Sequence, residues 1–155
     1  MYERILIPID GSEAAANAIP HALNLAETYG AGLYTVSVVD TDEADESETR
    51  EAMFDEFEAE SREMVEDVIR RAEERDIRTT AGSIAEGKPH RAILDYADVR
   101  DIDLIVMGTH GRGGIRYPLR RSVTEKVVRR TPVPVVCVRL GKGEAVGERG
   151  NGEEN

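Results

Sequence analysis

Ile5-Leu6-Ile7-Pro8-Ile9, followed at once by Asp10-Gly11-Ser12, is the stretch on which the fold turns. Five apolar residues in a row, without polar alternation, are the pattern of a strand covered on both faces, and so of a central strand. Asp10-Gly11-Ser12 breaks the run. Beyond it Ala15, Ala18, Ile19, Ala22 and Ala26 recur at helical spacing, with Ser12 as the N-cap. Pro20 falls inside that pattern, so the helix is expected to kink there or to begin later.

Working outward, Leu33 to Val39 reads as a second strand, rich in Val and Thr. Asp40 to Arg50 is too polar to pack and is expected to be a mobile loop close to any ligand mouth. Met53, Phe57, Met64, Val65, Val68, Ile69 and Ala72 form the apolar stripe of a long helix, with the Met and Phe residues in the core. A weaker strand is predicted over Ile77 to Ile84, then a helix opened by Pro89 and running through Ala92, Ile93, Tyr96 and Ala97. Ile102 to Met107 is the fourth strand, Ser122 to Arg130 a helix, and Val133 to Val138 the last strand. Strands alternating with helices imply right-handed crossovers and a doubly wound, mostly parallel five-stranded α/β sheet. Ligands of such sheets sit at the carboxyl ends of the strands, where the strand order reverses. One domain over residues 1–140 is expected, with a disordered Gly- and Glu-rich tail over 141–155.

Composition narrows the class. A chain of 155 residues suits a single core. Met1 to Ile9 is too short and wrongly flanked for a signal peptide, and no stretch reaches the length of a membrane span, so a cytoplasmic protein is expected. Cys137, the sole cysteine, excludes an intramolecular disulfide and reads as a buried small hydrophobe. Acidic residues number 31 against 20 basic ones, a net charge of -11, which argues against nucleic-acid or anionic-membrane binding. Lysine occurs only at 88, 126 and 142, and scarce lysine among abundant carboxylates resembles proteins of salt-accumulating halophiles.

The chemistry concentrates after the fourth strand, in Gly108-Thr109-His110-Gly111 and onward through Arg112, Gly113 and Gly114 to Arg121-Ser122-Val123-Thr124. Glycines let backbone amides approach an anion, and a following helix adds unpaired N–H groups and its positive dipole end. Arg112, Arg116, Arg120 and Arg121 lie there with no acidic residue among them, marking an anion's seat. There is no Gly-Lys-Ser/Thr of a P-loop, and no dinucleotide fingerprint after the first strand. No carboxylate pair or Ser/His/Asp arrangement is visible, and His21, His90 and His110 fall on separate elements, so neither a catalytic centre nor a three-histidine metal site is expected.

The order Ile7-Pro8-Ile9-Asp10-Gly11-Ser12, Val38-Val39-Asp40, Gly87-Lys88-Pro89 and Val106-Met107-Gly108-Thr109-His110-Gly111 resembles the universal stress proteins over residues 2–139. The ATP-binding members of that family carry Gly, two residues, Gly, nine residues, then Gly before Ser or Thr. Gly108, Gly111 and Ser122 match at that spacing, whereas Arg121 replaces the third glycine. The resemblance implies a three-layer sandwich with strand order 3-2-1-4-5. It implies a nucleotide across the switch point beside Pro8 and Ile9, with Asp10 facing the ribose or a phosphate-bound Mg²⁺ and the backbone of Val38 meeting the adenine edge. Met107 and Gly108 would flank the sugar. Gly111, Arg112, Arg121, Ser122, Val123 and Thr124 would surround the phosphates. It also implies a homodimer paired through Val133 to Val138. For Asp10, a turn residue capping the first helix is an equal alternative.

The expected function is thus an ATP- or other adenine-nucleotide-binding stress regulator with at most slow hydrolysis. The alternative is a dimeric interaction module, with an unidentified protein partner, whose nucleotide seat Arg121 has filled. A nucleotidyl-transferring enzyme on a related fold needs a HIGH-like motif, which Pro20-His21-Ala22-Leu23 does not supply.

Overall fold

β1 (Arg4–Ile9) is buried at every residue after Arg4, as its unbroken apolar run requires. The computed structural model describes residues 1–41, 49–109 and 119–140. After β1 come α1 (Glu13–Tyr29), β2 (Gly32–Val39), α2 (Arg50–Glu74), β3 (Thr79–Glu86), α3 (Pro89–Val99), β4 (Leu104–Thr109), α4 (Leu119–Arg130) and β5 (Val135–Arg139). The five strands form one parallel sheet in the order β3-β2-β1-β4-β5, with β1 central as its sequence demands.

Because strand side chains alternate between faces, β1 feeds both cores. Ile5, Ile7 and Ile9 join Ala18 and Leu23 of α1 and Val65 and Val68 of α2 on one side. Leu6 joins Ile93 and Tyr96 of α3 and Val127 of α4 on the other. The sheet is therefore sandwiched between α1/α2 and α3/α4.

Three helices stop by the same device. Gly30 (φ 65°), Asp76 (φ 58°) and Asp101 (φ 53°) adopt the left-handed conformation after α1, α2 and α3. The N–H groups of the next residues, Ala31, Ile77 and Ile102, each donate at 2.9 Å to the carbonyls of Ala26, Ala72 and Ala97. Each of those three residues is buried, completing the apolar contact that accompanies such caps. Aspartate tolerates this conformation better than most residues.

These caps explain two departures from expectation. Ile77 and Ile102 close helices, so β3 begins at Thr79 and β4 at Leu104. Val133 is likewise outside β5: its N–H donates to Thr131 Oγ1 at 3.2 Å in a local turn between Pro132 and Pro134. α1 neither starts late nor breaks at Pro20, which occupies an exposed position where the freed carbonyl of the preceding turn can meet water. α2 begins at Arg50, capped by Thr49, whose hydroxyl accepts from Ala52 N at 3.0 Å. Phe57 is 39 % exposed instead of in the core. Cys137 is exposed as well, because β5 is the outermost strand. Of residues 40–50, expected to be too polar to pack and mobile, Thr41 is buried and Arg50 is helical, whereas 42–48 lie outside the described residues, as does the tail 141–155, expected to be disordered. No described helix is long and apolar enough to cross a membrane.

Candidate functional site

β1 and β4 are pinned together at their amino ends. The Asp103 carboxylate accepts from Glu3 N at 2.9 Å and Arg4 N at 3.1 Å, and Asp103 N donates to the Arg4 carbonyl at 2.9 Å. Pairing then covers Ile5↔Leu104 and Leu6↔Ile105 and stops. β1 continues to Ile9 beside β2, and β4 to Thr109 beside β5, so their carboxyl halves part. The gap is the switch point at which open α/β sheets receive ligands.

The first turn of α1 is seated against β4 at this gap. An added Cβ on Gly108 would stand 2.0 Å from the Ala14 carbonyl oxygen, so only glycine permits the approach. The turn before α1 is organised by its own side chains. Asp10 Oδ1 accepts from Ser12 N at 2.9 Å, and Ser12 Oγ accepts from Ala15 N at 3.1 Å. Gly11 between them has φ 80°, and a Cβ there would meet Met64 Sδ at 3.2 Å. Asp10 thus has the turn-forming role, while its carboxylate still borders the gap.

The gap is a cleft with a cavity volume of about 50 Å³, open to solvent. It gathers Pro8, Ile9, Asp10, Val38, Met107, Gly108, Val123 and Thr124, which are all the sequence-predicted site residues whose surroundings are described. It also takes Ser12 from the turn before α1, Ala14 and Ala15 from α1, Val36 from β2, and Pro89 and Ile93 from α3. Of these only Ser12 and Pro89 lay in the motifs that carried the resemblance; apolar residues such as Val36 and Ile93 look like ordinary core in a sequence. One role changes: Thr124 is 6 % exposed and its hydroxyl donates to the Gly108 carbonyl at 3.2 Å. That bond ties α4 to the end of β4, so Thr124 positions the anion end of the cleft.

α4 begins at Leu119, three residues before the expected start, so Ser122 stands inside the first turns and does not open the helix. Arg121 consequently has helical backbone, and the strain that a non-glycine residue at positive φ would bring does not arise there. No acidic residue lies in the first turn of α4, leaving its positive end uncompensated by its own sequence. His110, Gly111 and Arg112 lie outside the described residues. Among the described residues no group of three or more His, Cys, Asp or Glu is placed to hold a metal ion.

Residues 1–139 match the model of the Universal stress protein family. A universal stress protein of Methanocaldococcus jannaschii is 33% identical over 147 residues, covering 93% of this chain and 86% of that protein. The crystal structure of a universal stress protein family member from Burkholderia pseudomallei superposes with a TM-score of 0.74 at 29% identity, over 88% of this chain and 96% of that one. The universal stress protein of Archaeoglobus fulgidus in complex with dAMP superposes with a TM-score of 0.63 at 22% identity, over 88% and 98% of the two chains, a likeness of fold.

Proposed function

The chain belongs to the universal stress protein family, and from that premise we propose that it is a stress-response regulator that binds an adenine nucleotide, ATP included, in the β1–β4 cleft. The observation that carries this reading is the convergence of Pro8, Asp10, Val38, Met107, Gly108 and Val123 on one gap at the switch point. Val36, Val38, Pro8 and Ile93 offer the apolar walls that a purine ring buries against. The Asp10 carboxylate suits ribose hydroxyls as an acceptor, and it is the group nearest to hand for a Mg²⁺ carried in on phosphates. The amino end of α4, uncompensated by acid, suits the phosphates themselves. A relative of the same fold holds dAMP. Binding, and not turnover, is the proposed activity, in the cytoplasm.

We further propose that two copies pair through β5, whose outer edge has no neighbouring strand among the described residues. Arg121 in the place of the motif glycine favours one other reading, a pairing module without nucleotide. Titration calorimetry with ATP, AMP and cyclic AMP decides between them. Micromolar binding of at least one is expected, and no heat with any of the three leaves the module.

A further inference from the structure

The two helical layers differ in how their charges are satisfied. α2 carries ten carboxylates and four arginines, whereas α4 carries five cations and one carboxylate, Glu125. On the acidic layer the arginines find partners: Arg62 pairs with Glu58, Arg70 and Arg71 with Asp67, and Arg75 with Glu27. On the other layer Arg91 of α3 and Lys126, Arg129 and Arg130 of α4 are exposed and make no ion pair among the described residues. In a chain with 31 acidic residues this is a local failure of compensation. The helix dipole accounts for Arg129 and Arg130 in the last turn, but not for Lys126 or for Arg91 near the start of α3. The crowding is felt by His90, whose pKa is lowered first by burial and then by Lys126, Arg130, Arg91 and Lys88.

We infer that the α3–α4 face is a docking surface for the acidic α2 face of a second copy of this chain. Complementarity is present in the chain itself. Glu56 and Glu60 are exposed on α2 without an ion pair among the described residues, and they are spaced i, i+4, as Lys126 and Arg130 are on α4. Two rows of side chains with the same one-turn repeat can pair across an interface. A polyphosphate chain, by contrast, would approach a molecule of net charge -11. Because α2 and α4 lie on opposite sides of the sheet, the contact is head-to-tail and leaves each copy with one face of each kind to offer the next. It joins copies into stacks, independently of any pairing of β5 edges. Exposed ion pairs are screened within about 10 Å at 0.1 M salt and about 3 Å at 1 M, so ionic strength sets the degree of stacking.

Sedimentation velocity between 0.2 and 2 M KCl, over the range where far-UV circular dichroism is unchanged, tests the inference. The wild-type sedimentation coefficient is expected to climb with protein concentration at the low end and to stay constant at the high end. Lys126→Glu/Arg130→Glu should abolish the climb, and so should Glu56→Lys/Glu60→Lys. An equimolar mixture of the two variants should restore it, since each then offers the other a complementary face. A wild-type coefficient indifferent to salt overturns the inference, as does a mixture that fails to associate. Salt-sensitive binding of a labelled single-stranded RNA, lost in Lys126→Glu/Arg130→Glu while wild type does not self-associate, would assign the face to nucleic acid instead.

Discussion

The Ala14 carbonyl oxygen stands 2.0 Å from where a Cβ of residue 108 would be, so the first turn of α1 and the end of β4 share a space that only glycine leaves open. Gly108→Ala is expected to push α1 outward and to cost about 1–3 kcal/mol, as overpacking does. The melting temperature should fall by about 2–4 °C for each kcal/mol in a chain of this size. Gly30→Ala is the control, with nothing within 4 Å of its added Cβ and only a φ of 65° to strain. Equal losses in the two variants, measured by thermal unfolding, would show that the close approach has no energetic weight.

Thr124 is buried with its hydroxyl on the Gly108 carbonyl. Thr124→Val removes the donor while keeping the shape, and should lower stability by about 1 kcal/mol. Urea unfolding without nucleotide is the measurement. If Thr124 served only to bind phosphate, stability would stay at the wild-type value and affinity for ATP alone would fall.

His90 is held below its ordinary pKa, chiefly by burial and then by the cations around it. The unfolded chain therefore takes up its proton first. Stability is greatest above the unfolded value of about 6.5 and declines as pH falls through the lower folded value. His90→Gln should show a shallower loss of melting temperature than wild type between pH 7 and 5. Parallel curves would mean that protonating His90 carries no folding penalty.

Arg121 has helical backbone, so its replacement by glycine relieves no strain and costs up to about 1 kcal/mol of helix propensity. If position 121 attracts phosphate by charge, Arg121→Gly should weaken ATP about tenfold and AMP much less. Calorimetry at matched salt gives both values. Tighter ATP binding by the variant would identify the arginine as an obstruction.

Pairing through β5 should withstand salt, since backbone bonds and apolar contact hold it. Light scattering in 2 M KCl is expected to give twice the chain mass. Cys137 is exposed in the middle of β5, and Cys137→Asp should dissociate the pair without harming the fold. A monomeric wild type at micromolar concentration removes the proposal.

Much of this architecture was legible in β1, because a short continuous apolar run stopped by Asp10-Gly11-Ser12 is the pattern of a strand covered twice, and the rest of the sheet follows from alternation. Element ends were less legible. In Arg75-Asp76-Ile77 and Arg100-Asp101-Ile102 the isoleucine looks like the first residue of a strand, yet it closes the preceding helix, a distinction made by the backbone of the aspartate. Cys137 and Phe57 misled for another reason: their apolar character says nothing about whether their place is at the margin of a layer. At the cleft, Gly108 and Thr124 were found by motif, but their mutual bond is a tertiary fact with no trace in spacing. Apolar wall residues such as Val36 and Ile93 carried no signal at all, being indistinguishable from core.

The parting of β1 from β4 comes from connectivity, since the chain leaves the two strands in opposite directions across the sheet. Any sequence able to fold this way inherits the opening before a single ligand contact is chosen. What the opening accepts is then a matter of the few side chains that wall it, such as Val36, Val38 and Ile93, and those can change while the scaffold endures.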